Sequence, residues 1–89
     1  MKAVVTVVGK DRVGIIASVC VKLAQYNINV LDISQTVMQG YFTMKMVVDV
    51  SAANLPLASI CQQMEAHGLE MGLSIRVQRE DIFNAMHQV

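Results

Sequence analysis

The sequence predicts an α+β fold with the order strand, helix, strand, strand, helix, strand, closed by a short helix. Three observations carry this prediction. β-Branched and apolar residues cluster or alternate with period two in Val4-Val5-Thr6-Val7-Val8, Tyr41 to Val50 and Met71 to Gln78, the signature of strands. Apolar residues recur at helical spacing after Gly14 and again after Pro56. Between the two middle strands stands Gln39-Gly40, a pair suited to a tight hairpin because glycine tolerates positive φ.

In chain order, the first strand is expected from about Lys2 to Val8; it is apolar on both faces, as a central strand with two neighbours would be. A polar turn follows, with Asp11 as candidate N-cap. The first helix is expected from Val13 to Tyr26, with Ile16, Val19, Cys20 and Leu23 on one face and Ser18, Lys22 and Gln25 opposite. Asn27 ends it. In the second strand, Ile28 to Met38, Ile28 and Val30 share one parity while Leu31 and Ile33 share the other, which predicts a bulge near Val30-Leu31. The third strand, Tyr41 to Val50, turns Phe42, Met44, Met46, Val48 and Val50 to the core and presents a mixed second face.

Asn54 is the expected cap of the second helix, with Pro56 in its first turn and Gly68 as left-handed terminus after His67. Leu57, Ile60, Cys61 and Met64 form its apolar stripe. The fourth strand points Met71, Leu73, Ile75 and Val77 inward. Asp81 is placed to cap a terminal helix with an apolar edge of Ile82, Phe83 and Met86. This β-α-β-β-α-β order is the ferredoxin-like plan, a four-stranded antiparallel sheet with two helices on one face.

Eighty-nine residues suit one domain, residues 1–89, and exclude two. Hydrophobic residues make up 54% and charged ones 16%, an apolar balance that a homo-oligomer would explain. Seven basic and seven acidic residues cancel, so the basic excess that a phosphate backbone demands is missing and nucleic acid is not an expected partner. An RNA-recognition sheet would also need aromatic residues on its open strands, where only Tyr41 stands. Cys20 and Cys61 fall at core-facing helical positions without a C-x-x-C pair and read as reduced thiols. With no signal-peptide pattern and no apolar run long enough to span a bilayer, no membrane association is expected and a cytoplasmic location is.

The catalytic inventory is thin. His67 and His87 lack partners at metal-ligand spacing and read as solvated surface residues, so no metal or cofactor is expected. The serines lack a nucleophile-elbow pattern, and Glu65, Glu70, Glu80 and Asp81 fall at exposed or capping positions, so the chain is not expected to be an enzyme. Gly9 to Gly14 fits the first half of a P-loop, but Ile15-Ile16 replaces the Lys-Ser/Thr that would hold phosphate and Mg²⁺. An acylphosphatase-like reading has Arg12 in the right loop and nothing further. A strand-turn-helix start of this kind still delivers unpaired backbone N–H groups and a helix dipole that favour a small anion such as a carboxylate.

Gly9-Lys10-Asp11-Arg12-Val13-Gly14-Ile15-Ile16-Ala17, followed by Asn29-Val30-Leu31-Asp32-Ile33, resembles the ACT domain signature, a G-x-D-R-P-G-hydrophobic turn before the first helix and an N-I-x-x-I segment opening strand two. Asp32 to Thr36 and Tyr41 to Met44 resemble the small stand-alone members of that family. The resemblance covers essentially the whole chain. It implies a regulatory module that pairs side by side or back to back and binds an amino acid at the subunit interface. Carried over, the ligand-contacting turn matches Asp11, Arg12, Val13, Gly14 and Ile15, with backbone N–H groups of Val13 to Ile15 taking the carboxylate. Asn29 matches the second contact. Val13 departs from the family's frequent proline and leaves φ unfixed. The alternative is a purely structural module that associates with itself or with a partner enzyme or transporter and takes no small molecule.

Overall fold

The computed structural model describes residues 1–86, apart from the side chains of Phe83, Ala85 and Met86. Strand β1 spans Lys2–Lys10, helix α1 Ile15–Gln25, β2 Asn29–Met38, β3 Tyr41–Asp49, α2 Leu57–Met71, β4 Ser74–Arg79 and α3 Glu80–Met86. The sheet order is β2-β3-β1-β4 with every pairing antiparallel, so the doubly apolar β1 is central, as its composition requires. This is the expected ferredoxin-like sandwich.

The core lies between one sheet face and the two long helices. Val5 pairs with Met46 on one side and Val77 on the other, and Val7 with Met44 and Ile75. These residues pack with Ile15, Val19 and Leu23 of α1 and with Ile60 and Met64 of α2. The alternation in β3 is borne out: Phe42, Met44, Met46, Val48 and Val50 are buried. Val4, on the opposite face, is buried too, and α3 packs against β1 and β4.

The bulge falls where the change of parity placed it, with the β2–β3 register slipping between Val30 and Asp32 so that Leu31 is the extra residue. Gln39-Gly40 forms the tight turn, both residues at positive φ. Other boundaries differ from expectation. Helix α1 begins at Ile15, and Gly14 rather than Asp11 is its N-cap residue, with no side-chain capping bond. Asn54 does not cap α2, which starts after Pro56. It ties the loop to the end of α1 instead: its amide Nδ2 donates to Gln25 O at 3.0 Å and its backbone N–H to Tyr26 O at 3.1 Å.

Helix α2 runs one turn past Gly68 and ends at Gly72, whose φ of 72° is the left-handed terminus expected at Gly68. Met71 is therefore the last helical residue and not part of β4. Gly68 is buried inside the helix because β4 approaches it closely: a Cβ there would stand 2.9 Å from Leu73 O and from Ile75 Cγ1. Asp81 lies within the first turn of α3, pairing with Arg79 at 2.8 Å and accepting the Ile82 N–H at 2.9 Å. Ile82 of its expected apolar edge is 47% exposed. The Phe83 and Met86 side chains and His87 lie outside the described residues.

Strand β2 is a sheet edge, and every residue from Leu31 to Gly40 is exposed. Leu31, Ile33, Val37 and Met38 are 43–67% exposed there. A long, apolar, unpaired edge of this kind is a ready template for another strand. No helix of the described residues is long and apolar enough to cross a membrane.

Candidate functional site

The turn after β1 is held from two sides. Asp11 donates its backbone N–H to Gly40 O at 2.8 Å, which fastens it to the β2–β3 hairpin. Asp11 stands three residues before the N-cap residue Gly14, outside the position from which a side-chain oxygen caps the first turn. The Arg12 guanidinium reaches across to the Met71 carbonyl oxygen at the end of α2. Gly14 then takes a left-handed conformation, φ 92° and ψ 0°, and its carbonyl accepts the Ser18 N–H at 2.9 Å as the first bond of the helix. The N–H groups of Ile15, Ile16 and Ala17 are the orphan donors of that first turn.

Beside the turn opens a cleft of about 560 Å³ lined by Gly9, Lys10, Asp11, Arg12, Tyr41, Met71, Gly72 and Leu73. Three elements meet there. Lys10 and Tyr41 are register partners at the end of the β1–β3 ladder, and Met71 to Leu73 turn from α2 into β4. Leu73 leans over Gly9 so closely that a Cβ on Gly9 would lie 2.3 Å from Leu73 Cδ2. The tip of the Leu73 side chain fills the space that a side chain at Gly9 would occupy. The cleft receives the C-terminal, partially negative end of α2 and lies next to the N-terminal, partially positive end of α1.

Of the residues the sequence singled out, the structure brings Asp11 and Arg12 into this cleft. Val13 is fully exposed at the tip of the turn, and Gly14 is exposed beside it. The Ile15 side chain is 2% exposed and belongs to the core, so only its backbone can serve a ligand. Asn29 is not brought to the turn. It lines a separate groove of about 310 Å³ with Ala24, Asn27, Ile28 and Ala52, at the far end of α1. An eleven-residue helix separates the two places, roughly 16 Å at 1.5 Å per residue.

Sequence reasoning passed over Lys10, Tyr41 and Met71 to Leu73 as site residues, because strand register and the end of α2 decide their positions. It also misplaced Ser18 and His67. Both are half-buried, and Ser18 Oγ lies 3.0 Å from His67 Nε2 and donates to Met71 Sδ at 3.1 Å. This polar seam joins α1 to α2 behind the cleft. Among the described residues no carboxylate orients His67, so the pair lacks the third member of a hydrolytic triad. Nor does any group of three or more His, Cys, Asp or Glu among them suit a metal ion.

The two cysteines are half-buried and unpaired. Cys61 donates its thiol to Val77 O at 3.2 Å, and burial, followed by the nearby Glu65 carboxylate, pushes its pKa up. A thiol held protonated in this way is a poor nucleophile.

The fold and cleft together define a ferredoxin-like α+β domain whose open end is built from a charged turn, a hairpin and a helix terminus. The chain belongs to the ACT domain family, whose sequence pattern matches residues 2–78. ACT domains generally serve as regulatory modules that bind amino acids. The chain is 49% identical to a UPF0237 protein of Listeria innocua over 89 residues, covering 100% of both. It superposes on the solved structure of an ACT domain protein from Streptococcus pneumoniae with a TM-score of 0.82 and 43% identity, covering 93% of each chain. It shares its fold, with a TM-score of 0.79 and 22% identity, with a formyltetrahydrofolate deformylase from Pseudomonas syringae, matching 88% of this chain and 27% of that one.

Proposed function

We propose that this chain is a non-catalytic regulatory module, a single cytoplasmic domain that homodimerises and binds an amino acid at the subunit interface. The observation that supports this reading is the separation of the turn at Asp11 to Ile15 from Asn29 at opposite ends of α1, in a chain whose β2 edge is bare. Two copies can unite them. Strand β2 begins with Asn29 at one end of the sheet and finishes at Met38 beside the hairpin that holds the turn. Antiparallel pairing of two β2 edges about a two-fold axis therefore brings Asn29 of a second copy to the turn of the first.

The same pairing covers Leu31, Ile33, Val37 and Met38 and lays one α1 antiparallel to the other, with Val21, 59% exposed, between them. In the composite site the orphan N–H groups of Val13 to Ile15 and the adjoining first turn take the ligand's carboxylate. Asn29 of the second copy adds a donor and an acceptor. Binding across the interface favours the dimer, which gives the module a way to pass amino acid level to whatever it is associated with.

Sedimentation equilibrium combined with a thermal-shift panel of the twenty amino acids tests this. A dimer is expected, stabilised by one class of amino acid by about 1.4 kcal/mol at ten times Kd, or several degrees for a domain of this size. A folded dimer that no amino acid stabilises at millimolar concentration would leave the purely structural module in its place.

A further inference from the structure

We propose that the cleft at the turn selects an amino acid whose side chain is anionic, so that the ligand as a whole carries a single net negative charge. This rests on the amino-acid-binding reading above and adds the chemical class of the ligand. The charges lining the cleft are two cations and one anion: Lys10 and Arg12 against Asp11. The Lys10 ammonium, the Asp11 carboxylate and the Tyr41 hydroxyl have no partner among the described residues. Arg12 uses one nitrogen on the Met71 carbonyl and keeps the remaining N–H donors of its planar fork.

A zwitterionic ligand with a neutral side chain has its carboxylate answered by the start of α1 and its ammonium by Asp11, and then leaves the two positive charges of Lys10 and Arg12 in the lining without an anion of their own. A second carboxylate supplies that anion, and guanidinium and ammonium groups give carboxylates their strongest hydrogen bonds. The apolar surface of the lining, to which Met71, Leu73 and the Tyr41 ring contribute, lies at an open corner, short of the enclosed apolar pocket that a large aliphatic or aromatic side chain would need. A cationic side chain would meet two like charges, against which stand only Asp11 and the partially negative end of α2.

Isothermal titration of the dimer with two isosteric pairs, glutamate against glutamine and aspartate against asparagine, reads the side-chain charge alone within each pair. An acidic ligand is expected to bind about tenfold more tightly than its amide, the size of one charge-assisted hydrogen bond. Raised salt should narrow that ratio. Lys10→Gln should bring the ratio towards one and Lys10→Arg should keep it. Since the Lys10 side chain is exposed and makes no hydrogen bond or ion pair with a described residue, both variants should fold. Asp11→Asn should weaken both members of a pair, while glutarate, a dianion that lacks the ammonium, should bind the variant at least as tightly as the parent. Equal or tighter binding of the amides, or a ratio that Lys10→Gln does not move, overturns the inference while amino acid binding stands. Binding of no amino acid at all overturns the reading beneath it as well.

Discussion

Gly68→Ala tests the packing of α2 on β4, because two effects of opposite sign meet at one methyl group. In the middle of a helix, glycine is about 1 kcal/mol less favourable than alanine, so propensity alone predicts a more stable protein. The methyl would stand 2.9 Å from the Leu73 carbonyl oxygen, 2.9 Å from Ile75 Cγ1 and 3.2 Å from Ile75 Cβ. The carbonyl cannot yield cheaply, since the neighbouring Leu73 N–H is bonded to Gly68 O at 2.7 Å and the chain enters β4 directly beyond it. Overpacking of this kind costs about 1–3 kcal/mol. The net is a loss of about 0–2 kcal/mol, a fall in Tm of about 4–8 °C for each kcal/mol. Urea titration of Gly68→Ala beside Gln62→Ala, an exposed position on the same helix, measures it; the Gln62 variant should stay within about 0.5 kcal/mol of the parent. A Gly68→Ala protein more stable than its parent would show that α2 stands off β4 and refute the close approach.

Gly72→Ala separates the two glycines, since open space surrounds that position and only its φ of 72° is at stake; a loss of about 1–2 kcal/mol is expected in the same titration. If two copies pair through β2 as proposed, Ile33→Lys with Val37→Lys should leave a folded monomer in sedimentation, as both side chains are exposed in the single chain. Hydrogen bonds from the Ser51 side chain and from its N–H, the latter at 2.9 Å, hold the Asp49 carboxyl below the usual carboxylate range. A lowered folded pKa stabilises above the unfolded value of about 3.9 and is lost as pH falls through the folded one. Asp49→Asn should therefore be less stable than the parent at pH 7, and the gap should close below about pH 4 in urea midpoints taken across pH. Ser18→Ala removes the seam to His67 and Met71 and should cost about 1 kcal/mol in the urea midpoint.

Local signals were legible in the sequence wherever one side-chain property settles the structure. The parity change at Leu31 gave the bulge, Gln39-Gly40 the hairpin, and the alternation in Tyr41 to Val50 the buried face of β3. Glycine was ambiguous because it serves two ends. Gly68 and Gly72 both suit a helix terminus, and only the approach of Leu73 and Ile75 assigns the first to packing and the second to φ. Of the residues lining the candidate cleft, Asp11 and Arg12 were legible, because their turn is continuous in sequence. Lys10 with Tyr41, and Ser18 with His67, depend on strand register and on helix seating, which no local pattern encodes. Asn29 stands apart from the turn in the single chain, a separation set by the length of α1.

The central claim is that one ligand site is shared between two copies, and mixed dimers test it most directly. Asp11→Asn and Asn29→Ala homodimers should each bind the amino acid weakly. In a heterodimer of the two, the intact turn of one copy faces the intact Asn29 of the other, so calorimetry should recover one site of parental affinity per heterodimer. If the site lies within a single chain, each copy carries a defect of its own and no parental site returns; that result would contradict the account.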